Sequence, residues 1–255
     1  MATNSPSRSE RIAHLSSVVA LFMRDHVLSR VSHDLRSPLN AIHSWAYVLE
    51  RKIDAADAAA QRAIGGIRTG VEQQVQLIEK IVDTTRSETR RLKIDANPFP
   101  ADATINDAID DARIALADAR DVTIDAHGMP CGATIDGDAE RCRQALWLML
   151  IFAVEASARG ATVTLGVNGE NGELRLAVDF VAATHALTDD AVPHRLEAFA
   201  RAQASQPQDG SQPAWVLALC QRVAEAHGGR FDAHALADGT PATLALTLPT
   251  LAAQT

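Results

Sequence analysis

Residues 28–49 read LSRVSHDLRSPLNAIHSWAYVL. Leu28, Leu35, Ile42 and Leu49 recur at a seven-residue step, and Val31, Pro38 and Trp45 fill the alternate positions of the same stripe. Such spacing predicts a long helix with an apolar seam, the mark of a bundle or coiled coil. With Leu28 set as heptad position a, His33 falls at f and Ser37 at c. Both are off the seam and directed to solvent. Pro38 sits inside the pattern and is expected to kink the helix or open its hydrogen-bond ladder.

The helical pattern extends outward from 10 to 52. A second helix follows, reaching 92, with Asp54 or Asp57 as its cap and Ile64, Ile67, Val71, Ile78, Val82 and Thr85 as its inner stripe. Two long helices with a short connection make an antiparallel hairpin. A lone hairpin leaves one stripe unburied, so the expectation is an all-α helical hairpin that pairs with a second copy in a dimeric four-helix bundle.

Asn97-Pro98-Phe99-Pro100 breaks the pattern and predicts a boundary, with domains at 1–95 and 96–255. Beyond it the texture is mixed α/β. Helices are predicted over 103–119, 138–158 and 214–226, the last ended by Gly228-Gly229. Strands are predicted over 122–126, 162–167, 174–180, 231–235 and 242–248. The stretch 184–213 reads as an irregular loop or lid.

The chain has 255 residues, 47% of them apolar, and a formal net charge of −8. That suits globular protein and offers no strong basic patch for nucleic acid. Cys131, Cys142 and Cys220 are scattered, without a C-x-x-C, so neither a disulfide framework nor a zinc site is expected. A reducing compartment fits. The longest early apolar run, 18–23, is far too short to span a bilayer. The reading is a cytoplasmic protein without membrane association, too short for a separate sensor domain and so informed by a partner.

An imidazole nitrogen is a good phosphoryl acceptor when neutral. Asp34 is placed to orient or accept the ring proton, and Arg36 to offset phosphate charge. The run from Val31 to Ile42 closely resembles the H-box of two-component sensor histidine kinases, and Leu77–Arg86 resembles that family's second helix. The resemblance implies that His33 is the phosphoacceptor and that Asp34 is the base. It also implies that Ser37 influences dephosphorylation of the partner regulator, which carries a response-regulator receiver domain. Residues 101–249 resemble the family's catalytic ATP-binding domain, an α/β sandwich with the histidine kinase-like ATPase fold. Asp138, Arg141 and Gln144 carry that match, with 222–229 and 239–249.

The departures fall where ATP chemistry belongs. Aligned from Gln144, the family's earlier asparagine becomes Leu148, its Mg²⁺-binding asparagine Phe152 and its basic residue Glu155, which would repel phosphate. A hard cation needs oxygen ligands, which phenylalanine lacks. The Asp-x-Gly-x-Gly box reads Asp179-Phe180-Val181-Ala182-Ala183, where Asp179 remains as a vestigial adenine contact. The phosphate-cradling box reads 210–215, with Pro213 and Trp215. No cofactor is expected, and ATP with Mg²⁺ only if the kinase reading holds.

Three functions stay open. The first is a histidine phosphotransferase that exchanges phosphoryl groups with receivers, as family members with vestigial kinase-like domains do. The second is a sensor kinase autophosphorylating on His33 with a divergent ATP site. The third is a non-catalytic regulator pairing with a partner kinase.

Overall fold

Helix α1 (Arg8–Glu50) runs through Pro38 as one element. The expected interruption reduces to the amide that proline lacks. The computed structural model describes residues 7–54, 57–86, 92–206, 214–233 and 236–251. The chain forms two compact units, Arg24–Arg91 and Met1–Met23 with Leu92–Thr255.

The first unit is the helical hairpin of α1 and α2 (Ala58–Arg86). Of the two candidate caps, Asp57 acts: its Oδ1 accepts from the amides of Ala59 (3.2 Å) and Ala60 (3.0 Å). Ion pairs join the helices at Arg36–Glu79 (3.7 Å) and Glu50–Arg68 (2.7 Å), and between them His43 Nε2 lies 3.6 Å from Glu72. Numbers rise on one side as they fall on the other, so the pair is antiparallel. Ser32, Ala46, Ile64 and Val71 are buried, and Leu39 partly so. The hairpin interior is thus a different heptad stripe from the expected seam. Leu28, Val31, Leu35, Ile42, Trp45 and Leu49 remain 40–68% exposed in the single chain, as does Ile67 of the expected α2 stripe at 47%. On α1 the buried residues are small, Ser32 and Ala46, and on α2 they are the larger Ile64 and Val71. The side chains of Val82 and Thr85 lie outside the described residues.

The second unit is an α/β structure. A five-stranded sheet has the order β2 (Thr123–His127), β4 (Thr162–Glu170), β5 (Glu173–Val181), β7 (Pro241–Pro249), β6 (Arg230–Ala233). Strands β2 and β4 are parallel and the other pairs antiparallel. Helices α3 (Ala101–Ala112), α5 (Ala139–Glu155) and α7 (Ala218–Ala226) share its core. Helix α5 is apolar all round and buried from Gln144 to Glu155, as a central helix must be. Asp138 caps it by accepting from the amide of Arg141 at 3.1 Å. Gly228, at φ +70°, turns the chain out of α7.

Several expectations change here. Asn97–Pro100 is strand β1, paired antiparallel with β3 (Thr134–Gly137). Its prolines Pro98 and Pro100 are tolerated because a two-stranded ribbon leaves edges unpaired. The 103–119 helix is α3 followed by a π-helical turn, Arg113–Ala117, and the short α4, Asp118–Arg120. The described part of the 184–213 loop contains a 3₁₀ turn, Thr184–Leu187, and helix α6, Ala198–Ser205. Leu196, Ala200 and Ala204, four residues apart, are buried and hold that segment to the core.

The compact units do not follow the 95/96 boundary. Ile12, Leu15, Val19 and Met23 of α1 belong to the core of the α/β unit. Asp111, fully buried on α3, is ringed by Arg8 (3.4 Å), Arg11 (3.1 Å) and Arg143 (3.2 Å). A buried carboxylate persists only when paired in this way. No helix among the described residues is long and apolar enough to cross a membrane.

Candidate functional site

His33 stands on α1 at f of the heptad, and its side chain is 82% exposed. Its Nδ1 lies 3.3 Å from Asp34 Oδ1. A carboxylate there favours the tautomer with hydrogen on Nδ1, so the Nε2 lone pair is left for an incoming electrophile. Arg30 Nε lies 3.8 Å from the other Asp34 oxygen, a turn earlier on the same helix. Ser37 is exposed one turn later. Arg36 points elsewhere: its Nη2 lies 3.7 Å from Glu79 of α2. The helix therefore brings His33 and Asp34 together, and Arg36 contributes to hairpin register.

The nucleotide-site positions lie in the α/β unit, on α5 and β5. Leu148 and Phe152 are fully buried. The Phe152 ring meets Phe180 of β5 edge to face, with centroids 6.5 Å apart at 84°. Neither residue has an oxygen to offer Mg²⁺, and both are spent on core packing, so these positions do not fit the ion. Asp179 precedes Phe180 on a regular strand, so its side chain leaves the opposite face from the one packed on Phe152. It is exposed and accepts the hydroxyl proton of Thr243. The 210–213 part of the phosphate box lies outside the described residues. Trp215 opens a 3₁₀ turn, Trp215–Leu217, its amide donating to Gln203 Oε1 at 2.9 Å.

Glu155 was expected to repel phosphate. Its carboxylate is instead fully buried and accepts from the amides of Arg195 (2.6 Å) and Leu196 (2.9 Å). Its other oxygen takes the Nδ1 hydrogen of His194 at 2.8 Å. Arg120 is buried nearby and donates to the carbonyls of Pro193 (3.1 Å), Glu155 (3.2 Å) and Ala186 (3.3 Å). Burial pushes its guanidinium pKa down, against the stabilising charge of Glu155. Neither Arg120 nor His194 was singled out from the sequence. The available signal was an acid ending the apolar run Trp147–Val154. All three cysteines are unpaired, and burial pushes the Cys142 thiol up to about 12, which removes it as a nucleophile.

The His Kinase A (phospho-acceptor) domain matches residues 23–90. Sensor protein KdpD of Clostridium acetobutylicum is 23% identical over 220 residues, 83% of this chain. Sensor protein DivL of Caulobacter vibrioides is 28% identical over 211 residues, 81% of this chain. The chain spans 23% and 25% of the length of these two relatives. A crystal structure of a histidine kinase from Burkholderia phymatum superposes with a TM-score of 0.76 at 47% identity. The match covers 95% of this chain and 99% of that one. With the phospho-acceptor hairpin, the α/β unit and this near-complete match in place, the chain belongs to the two-component sensor histidine kinase family.

Proposed function

We propose that this chain is a histidine phosphotransfer protein of a phosphorelay, exchanging phosphoryl groups between His33 and the aspartate of response-regulator receiver domains. Two observations together carry this reading: Leu148 and Phe152 are buried in the core of the α/β unit, and His33 on the hairpin is exposed and oriented by a carboxylate. In the transfer, Nε2 attacks the phosphorus of an aspartyl phosphate. The N–P bond forms as the P–O bond to the receiver's carboxylate breaks, and that carboxylate leaves with the electron pair. Asp34 holds the Nδ1 proton and offsets the charge that develops on the ring. The receiver supplies the Mg²⁺, and this chain supplies position. Incubation with a receiver phosphorylated beforehand, without ATP, is the test. Label is expected on this chain; its absence would overturn the reading.

The alternative is autophosphorylation of His33 from ATP. The His33–Asp34 pair is compatible with it, because an acid next to the histidine serves either phosphoryl donor. Leu148 and Phe152 weigh against it.

The same proposal includes a homodimer through the exposed α1 seam and a function confined to the cytoplasm. Leu35→Lys combined with Ile42→Lys is expected to weaken self-association at least about 100-fold, because pairing would then bury like charges. Sedimentation equilibrium reads the change, with helicity retained by circular dichroism. Unchanged association would place the dimer contact elsewhere.

A further inference from the structure

Glu155 ends an apolar helix, and both of its carboxylate oxygens are occupied. Oε1 accepts from the amides of Arg195 (2.6 Å) and Leu196 (2.9 Å), and Oε2 from His194 (2.8 Å). Three donors from three consecutive residues converge on one anion. Consecutive donors arranged this way form a concave receptor for negative charge. The surrounding cations do not take over this role. Arg120 donates to carbonyls, and its Nη1 lies 3.3 Å from His194 Nδ1, farther than Glu155 Oε2 at 2.8 Å; Arg195 Nε donates to Ala115 O at 2.9 Å. Arg201 closes the same segment on itself, donating to Leu187 O (2.5 Å) and Leu196 O (3.3 Å). The segment from Thr184 to Ser205 is thus tied to α5 through the Glu155 carboxylate and braced by guanidinium–carbonyl bonds.

We infer that the 194–196 turn is a carboxylate-binding nest and that Glu155 is its tethered internal ligand, holding residues 184–205 against α5. The ligand class is a small monovalent carboxylate, such as formate or acetate, which the nest accepts when Glu155 is shortened. Tethering gives the side chain a high effective concentration, so a diffusing anion competes poorly for these donors. The inference goes beyond the phosphotransfer reading and rests on the geometry of the nest.

Glu155→Ala tests it. The variant is expected to melt at lower temperature than the unaltered protein. Acetate or formate at 100 mM and pH 7.5 is expected to raise its melting temperature by about 3–5 °C over equal chloride, the response to a ligand near ten times its dissociation constant. A response no larger than that of the unaltered protein overturns the inference. If Glu155→Ala is unfolded in chloride, recovery of the fold in acetate is the same readout. Glu155→Gln fills the nest without the charge: its oxygen still meets the Arg195 and Leu196 amides, and its NH2 meets His194 Nδ1 once the ring keeps its hydrogen on Nε2, 3.0 Å from Asp189 O. Its Arg195 and Leu196 amides are expected to exchange hydrogen at least about tenfold faster, with no response to acetate. Unchanged exchange in that variant also overturns the inference. None of these measurements involves a receiver or nucleotide, so they fail or succeed independently of the phosphotransfer assay.

Discussion

His33→Ala is expected to reduce labelling by a phosphorylated receiver to background. The protein has nine histidines, so the argument rests on placement. His33 is 82% exposed, and its Nδ1 faces a carboxylate, leaving Nε2 free to attack. His194 and His227, by contrast, are tied down. His194 serves Glu155, and His227 Nε2 accepts the amide hydrogen of Asp138 at 2.9 Å while Nδ1 donates to Val223 O at 2.7 Å. Neither can take a phosphoryl group without breaking those bonds. Asp34→Asn is the graded companion. Its amide oxygen still accepts from Nδ1–H but no longer offsets the ring's developing charge, so a rate loss of about 10²-fold is expected. The label should be acid-labile, as an N–P bond is. Label that persists in His33→Ala would move the acceptor to another residue.

Phe152→Asn is expected to destabilise the fold by about 3–5 kcal/mol and to leave Mg-ATP binding undetectable. The substitution restores the residue type that the family uses to hold the metal. In this chain the position is closed core, packed edge to face on Phe180. Removing the ring forfeits its transfer energy and leaves a cavity. The new amide is then buried without partners. Urea unfolding reads the first effect and calorimetric titration the second. The unaltered protein is expected to be equally silent toward Mg-ATP. Micromolar binding by it would remove the main argument against kinase activity.

The helices and the central strands were legible because their signals are local. Seven-residue spacing in α1, the apolar run of α5 and the alternation of β5 each declare an element. The side on which α1 packs was not legible. Two heptad stripes run along it, and the more apolar one, Leu28 to Leu49, faces outward in the single chain while Ser32 and Ala46 face α2. Hydrophobicity alone does not say which stripe meets which neighbour. Strand β1 was hidden by its prolines, and α6 by a polar stretch whose anchors are only three residues four apart. The chemistry at Glu155 was misread for a similar reason. An acid replacing a base looked like repulsion aimed at a ligand. The charge is instead consumed by amides about forty residues later in the chain, partners that no spacing rule reveals. The motif around His33 needed no distant partner for His33 and Asp34, which are neighbours on one helix, whereas Arg36 turned to Glu79 of α2, a contact that the motif does not announce.

The first four turns of α1 are a structural subunit of the α/β core, and this limits where the gene can be divided. A fragment starting at residue 96 would contain every strand of the sheet. It would still lack the strip that covers it, Ile12, Leu15, Val19 and Met23, and two of the three guanidiniums around Asp111. An uncovered apolar strip beside an under-neutralised carboxylate is a surface that seeks another chain. Recombination that exchanges only the sheet-bearing half with a relative therefore has to carry the opening helix along. The two segments, far apart in sequence, are bound to vary together.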